Sequence, residues 1–67
     1  MKIKLKTEYI TLAQLLKITE FIASGGEAKY AVKSLVITVN GESENRRGRK
    51  LYPRDIVIIE NKKIELE

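Results

Sequence analysis

The spacing of apolar residues changes period abruptly after Leu35, and that change limits the fold more than any other feature. Ala28, Ala31, Val32 and Leu35 recur at i, i+3, i+4 and i+7, the stripe of a helix with one buried face. Directly after it, Val36-Ile37-Thr38-Val39 is a β-branched run that stops at Asn40-Gly41, a dipeptide suited to a tight hairpin turn. A helix that gives way at once to a strand, within 67 residues, leaves room for one small mixed domain spanning 1–67.

The flanking segments extend the pattern. Thr11-Leu12-Ala13-Gln14 has the form of a capping box, with Thr11 as N-cap and Gln14 three residues on. Ile10 and Leu15 hold the positions of a hydrophobic staple, and Leu12, Leu15 and Leu16 share one face of a helix running to about Ile18. Ser24-Gly25-Gly26-Glu27 has the same form, which predicts Ser24 as N-cap of the second helix and Glu27 closing the box. Ala28 and Ala31 are small enough to let the first helix approach, so the two make a helix–turn–helix-like pair. Lys2-Ile3-Lys4-Leu5-Lys6 alternates as a strand does, Ile56 to Ile59 is a second β-branched run, and Asn61-Lys62 turns into the alternating Lys63 to Glu67. Glu42 to Lys50, polar and basic, reads as turn and loop. The expected class is α+β: two helices packed on a small, mainly antiparallel sheet.

Composition removes several chemistries. With no cysteine and no histidine, the chain has no disulfide, no thiol nucleophile, no Cys/His zinc site and no side chain that titrates near neutrality by default. The carboxylates are scattered over caps, loops and strand ends, and Ser24 has no histidine to activate it. Asp55, Glu60 and Glu65 could be brought together as metal ligands, but nothing in their arrangement calls for it. The expectation is a protein that is not an enzyme and takes no cofactor. No apolar run approaches the roughly 20 residues of a membrane span, and the lysine-rich start lacks the apolar stretch of a signal peptide, so a cytoplasmic protein without membrane contact is expected.

The net charge of +4 lies in the middle of the chain. Between Ser24 and Arg54 the cations Lys29, Lys33, Arg46, Arg47, Arg49, Lys50 and Arg54 face only Glu27, Glu42 and Glu44, while the remaining segments balance. A localised basic patch on a small domain is the footprint of a polyanion binder. Its sharpest part is Arg46-Arg47-Gly48-Arg49-Lys50, where planar guanidinium groups suit bidentate phosphate contact and a glycine lets the backbone bend near a ligand. Ser24, Gly25 and Gly26 would leave backbone N–H groups free at a helix start, and Lys29 and Lys33, four apart, share a helical face that could extend the patch. Tyr30, off the apolar stripe, is expected partly buried at the edge of the core, with stacking on an unpaired base as its alternative role; Tyr9 and Tyr52 are expected at the core edge and Phe21 within the core.

Taken in order and spacing, the helix pair, the Ser24 to Lys29 opening, the Val36 to Gly41 strand and the basic loop resemble the RNA-binding domain family named after ribosomal small-subunit protein four. The likeness to this S-four-like domain, whose core is the alpha-L motif, runs from about Glu8 to Ile59. It is greatest with small stand-alone bacterial members of YaaA or YbcJ type. The resemblance implies a two-helix alpha-L motif on the sheet and binding of structured RNA, ribosomal or transfer RNA, by phosphate-backbone contacts. The partner it implies is the ribosome, as a subunit or an assembly intermediate. Matched by position, Ser24, Lys29 and Lys33 form the polar side of the second helix, Asn40 is the asparagine before the turn glycine, and Arg46 to Lys50 are the loop. Two positions depart from the pattern: Gly25 stands where the family often has arginine, and Arg54 where it has glycine. Duplex DNA and a protein partner docking on the sheet edge are the competing ligands, and the second helix, opening Ser-Gly-Gly, offers DNA few side chains to read base edges.

Overall fold

Short elements alternate with tight turns throughout the computed structural model, which describes residues 1–67. In chain order they are β1 (Lys2–Ile3), β2 (Ile10–Thr11), α1 (Leu12–Ile18), a 3₁₀ turn (Gly25–Glu27), α2 (Ala28–Ser34), β3 (Ile37–Val39), β4 (Glu42–Ser43), β5 (Lys50–Leu51), β6 (Ile56–Ile59) and β7 (Lys62–Leu66). Five strands form one sheet in the order β1-β7-β6-β3-β4. Only its β1–β7 pair is parallel. The other two strands make a separate antiparallel ladder, Ile10 opposite Leu51 and Thr11 opposite Lys50. The class is α+β, two helices on a mainly antiparallel sheet.

The first helix starts where its sequence requires. Thr11 Oγ1 accepts a hydrogen bond from the Gln14 amide at 3.2 Å, and Gln14 Oε1 accepts from the Thr11 amide at 2.7 Å, a complete capping box. Leu12, Leu15 and Leu16 are buried from its face.

The second helix starts differently from its sequence expectation. Ser24 makes no capping bond with its side chain, a 3₁₀ turn occupies Gly25–Glu27, and α2 proper begins at Ala28. The Glu27 carboxylate reaches the amide of Ala23 at 3.2 Å, one residue before the one a capping box would use. Two glycines carry no side chain to fix the turn and disfavour helix, so the tighter i→i+3 turn takes their place. Ala28, Ala31 and Val32 then bury the expected stripe.

The sheet supplies the other half of the core. Ile37 and Val39, Val57 and Ile59, and Ile64 and Leu66 point inward from β3, β6 and β7, with Thr38 and Ile58 on the opposite face. Asn40 and Gly41, at φ 51° and 85°, make the primed turn between β3 and β4. The β6–β7 turn falls on Glu60 and Asn61, at φ 47° and 72°, one residue earlier than the Asn61-Lys62 expectation. Glu60 stabilises this unusual conformation through a second set of bonds: its carboxylate accepts from the Val36 amide at 2.6 Å, and its own amide donates to the Val36 carbonyl at 3.0 Å. The hairpin is thereby tied to the junction between α2 and β3. Tyr30 overturns its core-edge expectation, being 67% exposed, while Phe21 is only partly buried against the core.

Candidate nucleic-acid interface

The basic loop is organised by a residue the sequence hid. Glu44 follows β4, and its side chain is buried, with the residue 6% exposed. Its carboxylate accepts from the amides of Asn45 (3.2 Å) and Arg46 (3.1 Å), from Arg46 Nε (2.9 Å) and Nη2 (3.0 Å), and from Arg49 Nη1 (2.7 Å). The loop is wrapped around this one acid. The Arg46 guanidinium is the main reason that the Glu44 carboxyl sits well below the usual carboxylate range, at about 2; burial opposes the shift and Arg49 adds to it. The same pair raises the Arg46 side chain above its ordinary value.

A second anchor comes from α1. The first amides of any helix lack partners within it. Here the Leu12 amide donates to the Arg49 carbonyl at 2.9 Å and the Ala13 amide to the Arg47 carbonyl at 3.0 Å. With the β2–β5 ladder at Lys50 and Leu51, the loop backbone is held on both sides.

These anchors divide the four cations of the loop. Arg46 and Arg49 are paired with Glu44, although 71% of the Arg46 side chain still faces solvent. Arg47 has no acidic partner, and Lys50 has only the Tyr9 ring, whose centroid lies 5.0 Å from its ammonium.

The second expected group is less tightly bonded than the loop. Ser24, Gly25, Gly26, Lys29 and Lys33 are all exposed. The Gly25 and Gly26 amides have no acceptor within the protein, and a Cβ at either glycine would meet nothing within 4 Å. Lys29 lies 5.0 Å from the Tyr30 ring centroid, and Lys33 has no acidic partner. No hydrogen bond or ion pair joins this group to the arginine loop.

Asn40, expected beside the site, is committed to the fold. Its Nδ2 donates to Asp55 Oδ1 at 3.1 Å, its Oδ1 accepts from the Ile56 amide at 2.9 Å, and its own amide donates to the Ile56 carbonyl at 2.8 Å. Asp55 also accepts from the Tyr52 amide at 2.8 Å, so it orders the turn that contains Arg54. Arg54 adopts φ 79°, the left-handed backbone that suits the glycine it replaces, and its amide donates to Leu66 at 2.8 Å. The turn thus carries an exposed cation at a left-handed position.

Glu44, Asp55 and the Tyr9–Tyr52 ring pair are what sequence reasoning missed. The sequence signal for Glu44 is its place two and five residues before Arg46 and Arg49. No helix is long and apolar enough to cross a membrane.

A helix pair running straight into a hairpin, with a basic loop pinned to the first helix, defines a class. The family model described as the S4 domain matches residues 3–67, and the chain belongs to that family. Among curated proteins, it is 52% identical over 58 residues to the "Probable ribosome maturation protein RlbA" of Bacillus subtilis (strain 168), an alignment covering 87% of this chain and 82% of that relative.

Proposed function

We propose that this chain is a non-catalytic module that binds structured RNA through its phosphate backbone and serves the ribosome in the cytoplasm, with ribosomal RNA of a subunit or assembly intermediate as its target and transfer RNA as the second choice. The observation that carries the reading is the basic loop: its backbone is fixed by Glu44 and by the α1 amides, while Arg47 and Lys50 remain free of acidic partners. Fixing the backbone beforehand reduces the ordering cost of binding. Membership of the S4 domain family supports RNA as the polyanion, and the name of the relative supports a ribosomal setting.

Phosphate contacts position such a module and carry little sequence information. An A-form major groove is too narrow for side chains to read, so RNA shape decides the target. With roughly four to six cations meeting phosphates, log K should fall against log salt with a slope of about −3 to −5. The test is retention of total cellular RNA by the purified protein at two salt concentrations, with sequencing of what is held. An Arg46/Arg47/Arg49/Lys50→Ala variant and a duplex DNA competitor run beside it. Enrichment of one structured RNA that vanishes in the variant and resists the DNA is expected; equal retention by both proteins, or a flat salt response, would sink the reading.

A further inference from the structure

We propose that Tyr9 and Tyr52 form a stacking site for a single unpaired nucleobase at the edge of the basic loop, an inference that rests on the RNA reading above and names the part of the RNA this site takes. The register of the β2–β5 ladder, Ile10 opposite Leu51, sets Tyr9 beside Tyr52 at its open end. Their ring centroids are 5.7 Å apart with planes at 46°, and the Lys50 ammonium lies 5.0 Å from the centre of the Tyr9 ring. Tyr9 is 37% exposed and Tyr52 43%, and neither hydroxyl has a hydrogen-bond partner within the protein. Large aromatic surface left open beside a cation suits a flat, π-faced ligand that carries negative charge next to it.

The ground beside Tyr9 fits the same ligand. An open groove of about 670 Å³ is lined by Thr7, Glu8, Tyr9, Thr11 and Gln14. The capping box fixes the Gln14 side chain, because Oε1 accepts from the Thr11 amide and hydroxyl, and its NH₂ group has no internal acceptor. An immobilised amide donor suits a base carbonyl or ring nitrogen. Glu8 is the only charged residue of the groove and disfavours a phosphate within it, whereas Lys50 beside the Tyr9 ring and Arg47, whose carbonyl accepts from the Ala13 amide, belong to the adjoining basic loop. A nucleotide is thereby sorted into its parts, with the base against Tyr9 and the phosphates on the loop. Tyr30, also beside a lysine, has neither a second ring nor a groove.

The experiment compares three labelled hairpin RNAs with the same stem: fully paired, carrying a one-nucleotide bulge, and carrying the same bulge as an abasic nucleotide. Each is titrated with the unmodified protein, with Tyr9→Leu/Tyr52→Leu and with Tyr9→Phe/Tyr52→Phe. The unmodified protein should prefer the bulged hairpin roughly tenfold over both others, in the range of base–aromatic stacking. The Phe variant should keep that preference, and the Leu variant should lose it while still binding the paired stem. Equal binding of all three RNAs with a steep salt dependence overturns the stacking site and leaves the RNA reading standing. Binding of none overturns both. An equal loss on every RNA in the Leu variant assigns the rings to the ladder and also overturns the proposal. If the Leu variant does not fold, the abasic comparison in the unmodified protein decides the matter alone.

Discussion

Residues 44–50 and residues 24–33 both present cations, yet the fold treats their backbones in opposite ways. The first segment closes around a buried carboxylate and lends two carbonyls to the first turn of α1. The second opens through two glycines whose amides bond to nothing in the protein, and its serine caps nothing. A segment with satisfied donors and acceptors presents its free cations from a set position. One with open donors must find its conformation against the ligand and bears an ordering cost on binding. Charge alone ranks the two segments by number of cations; the hydrogen bonds show which is a rigid platform and which is adaptable.

The most severe way to break that contrast is Glu44→Ala. It orphans two backbone amides and the inner side of Arg49, a loss of about 1–3 kcal/mol. In a domain of this size that lowers the thermal midpoint by roughly 5–20 °C. A thermal melt followed by circular dichroism checks it, and an unchanged midpoint would show that the loop stands without its acid.

Splitting the loop cations by partner comes next in size. Arg47→Ala/Lys50→Ala should leave the melt unchanged while the salt slope of RNA binding becomes shallower by about 2, one per lost phosphate contact. Arg46→Ala/Arg49→Ala should lower the melting temperature, because it strips a buried carboxylate of its partners. If both pairs behave alike, the division of the loop into anchors and free cations fails.

Acid tests the same anchor. The Glu44 carboxyl lies near 2 in the folded protein against an ordinary 4.5, so between these values the unfolded chain binds more protons than the folded one. Its stabilising contribution is therefore complete above about pH 4.5 and is lost as pH falls toward 2. Acid titration of Glu44→Gln should lack that component of the stability loss; superimposable relative profiles for the two proteins would deny Glu44 this part in acid unfolding.

The smallest effect belongs to the loosely held segment. Gly25→Arg has open space and no positive φ to oppose it, so stability should stay within about 0.5 kcal/mol. The added cation should steepen the salt slope by about 1. An unaltered slope would place this turn away from the RNA.

Much of this was legible because it is local. The Thr11–Gln14 box, the Asn40-Gly41 turn and the change of period after Leu35 depend on residues no more than a few positions apart, and each forms where its sequence puts it. What escaped depends on distant partners. Arg46 and Arg49 lie close after Glu44 in the chain, but that spacing alone does not bury an acid: its amide is held by the Ile37 carbonyl of the adjacent strand, and the arginine side chains fold back over its carboxylate. Tyr9 and Tyr52 meet only because a two-residue ladder brings together segments some forty positions apart in the chain. The Ser24 box failed for the opposite reason: the right residues stood at the right spacing, but Gly25 and Gly26 between them favoured a tighter turn. Asn40 is also a clasp between a hairpin turn and β6, bonds that need partners fifteen and sixteen positions away.

The parallel β1–β7 pair has a consequence for synthesis. Lys2 aligns with Glu65 and Ile3 with Leu66, so the first strand waits for the last before it has a partner. At roughly 5–20 residues per second, a nascent chain holds that strand open for about 3–13 seconds. Ile3 and Leu5 are the sticky part of it, and closing so long a loop is among the slowest events in folding a chain of this length. Lys2 in the strand, with Lys4 and Lys6 just beyond it, all exposed in the finished fold, are like charges that repel a second nascent strand throughout that interval. Their service is earliest in the life of the molecule, guarding an edge until the rest of the chain arrives.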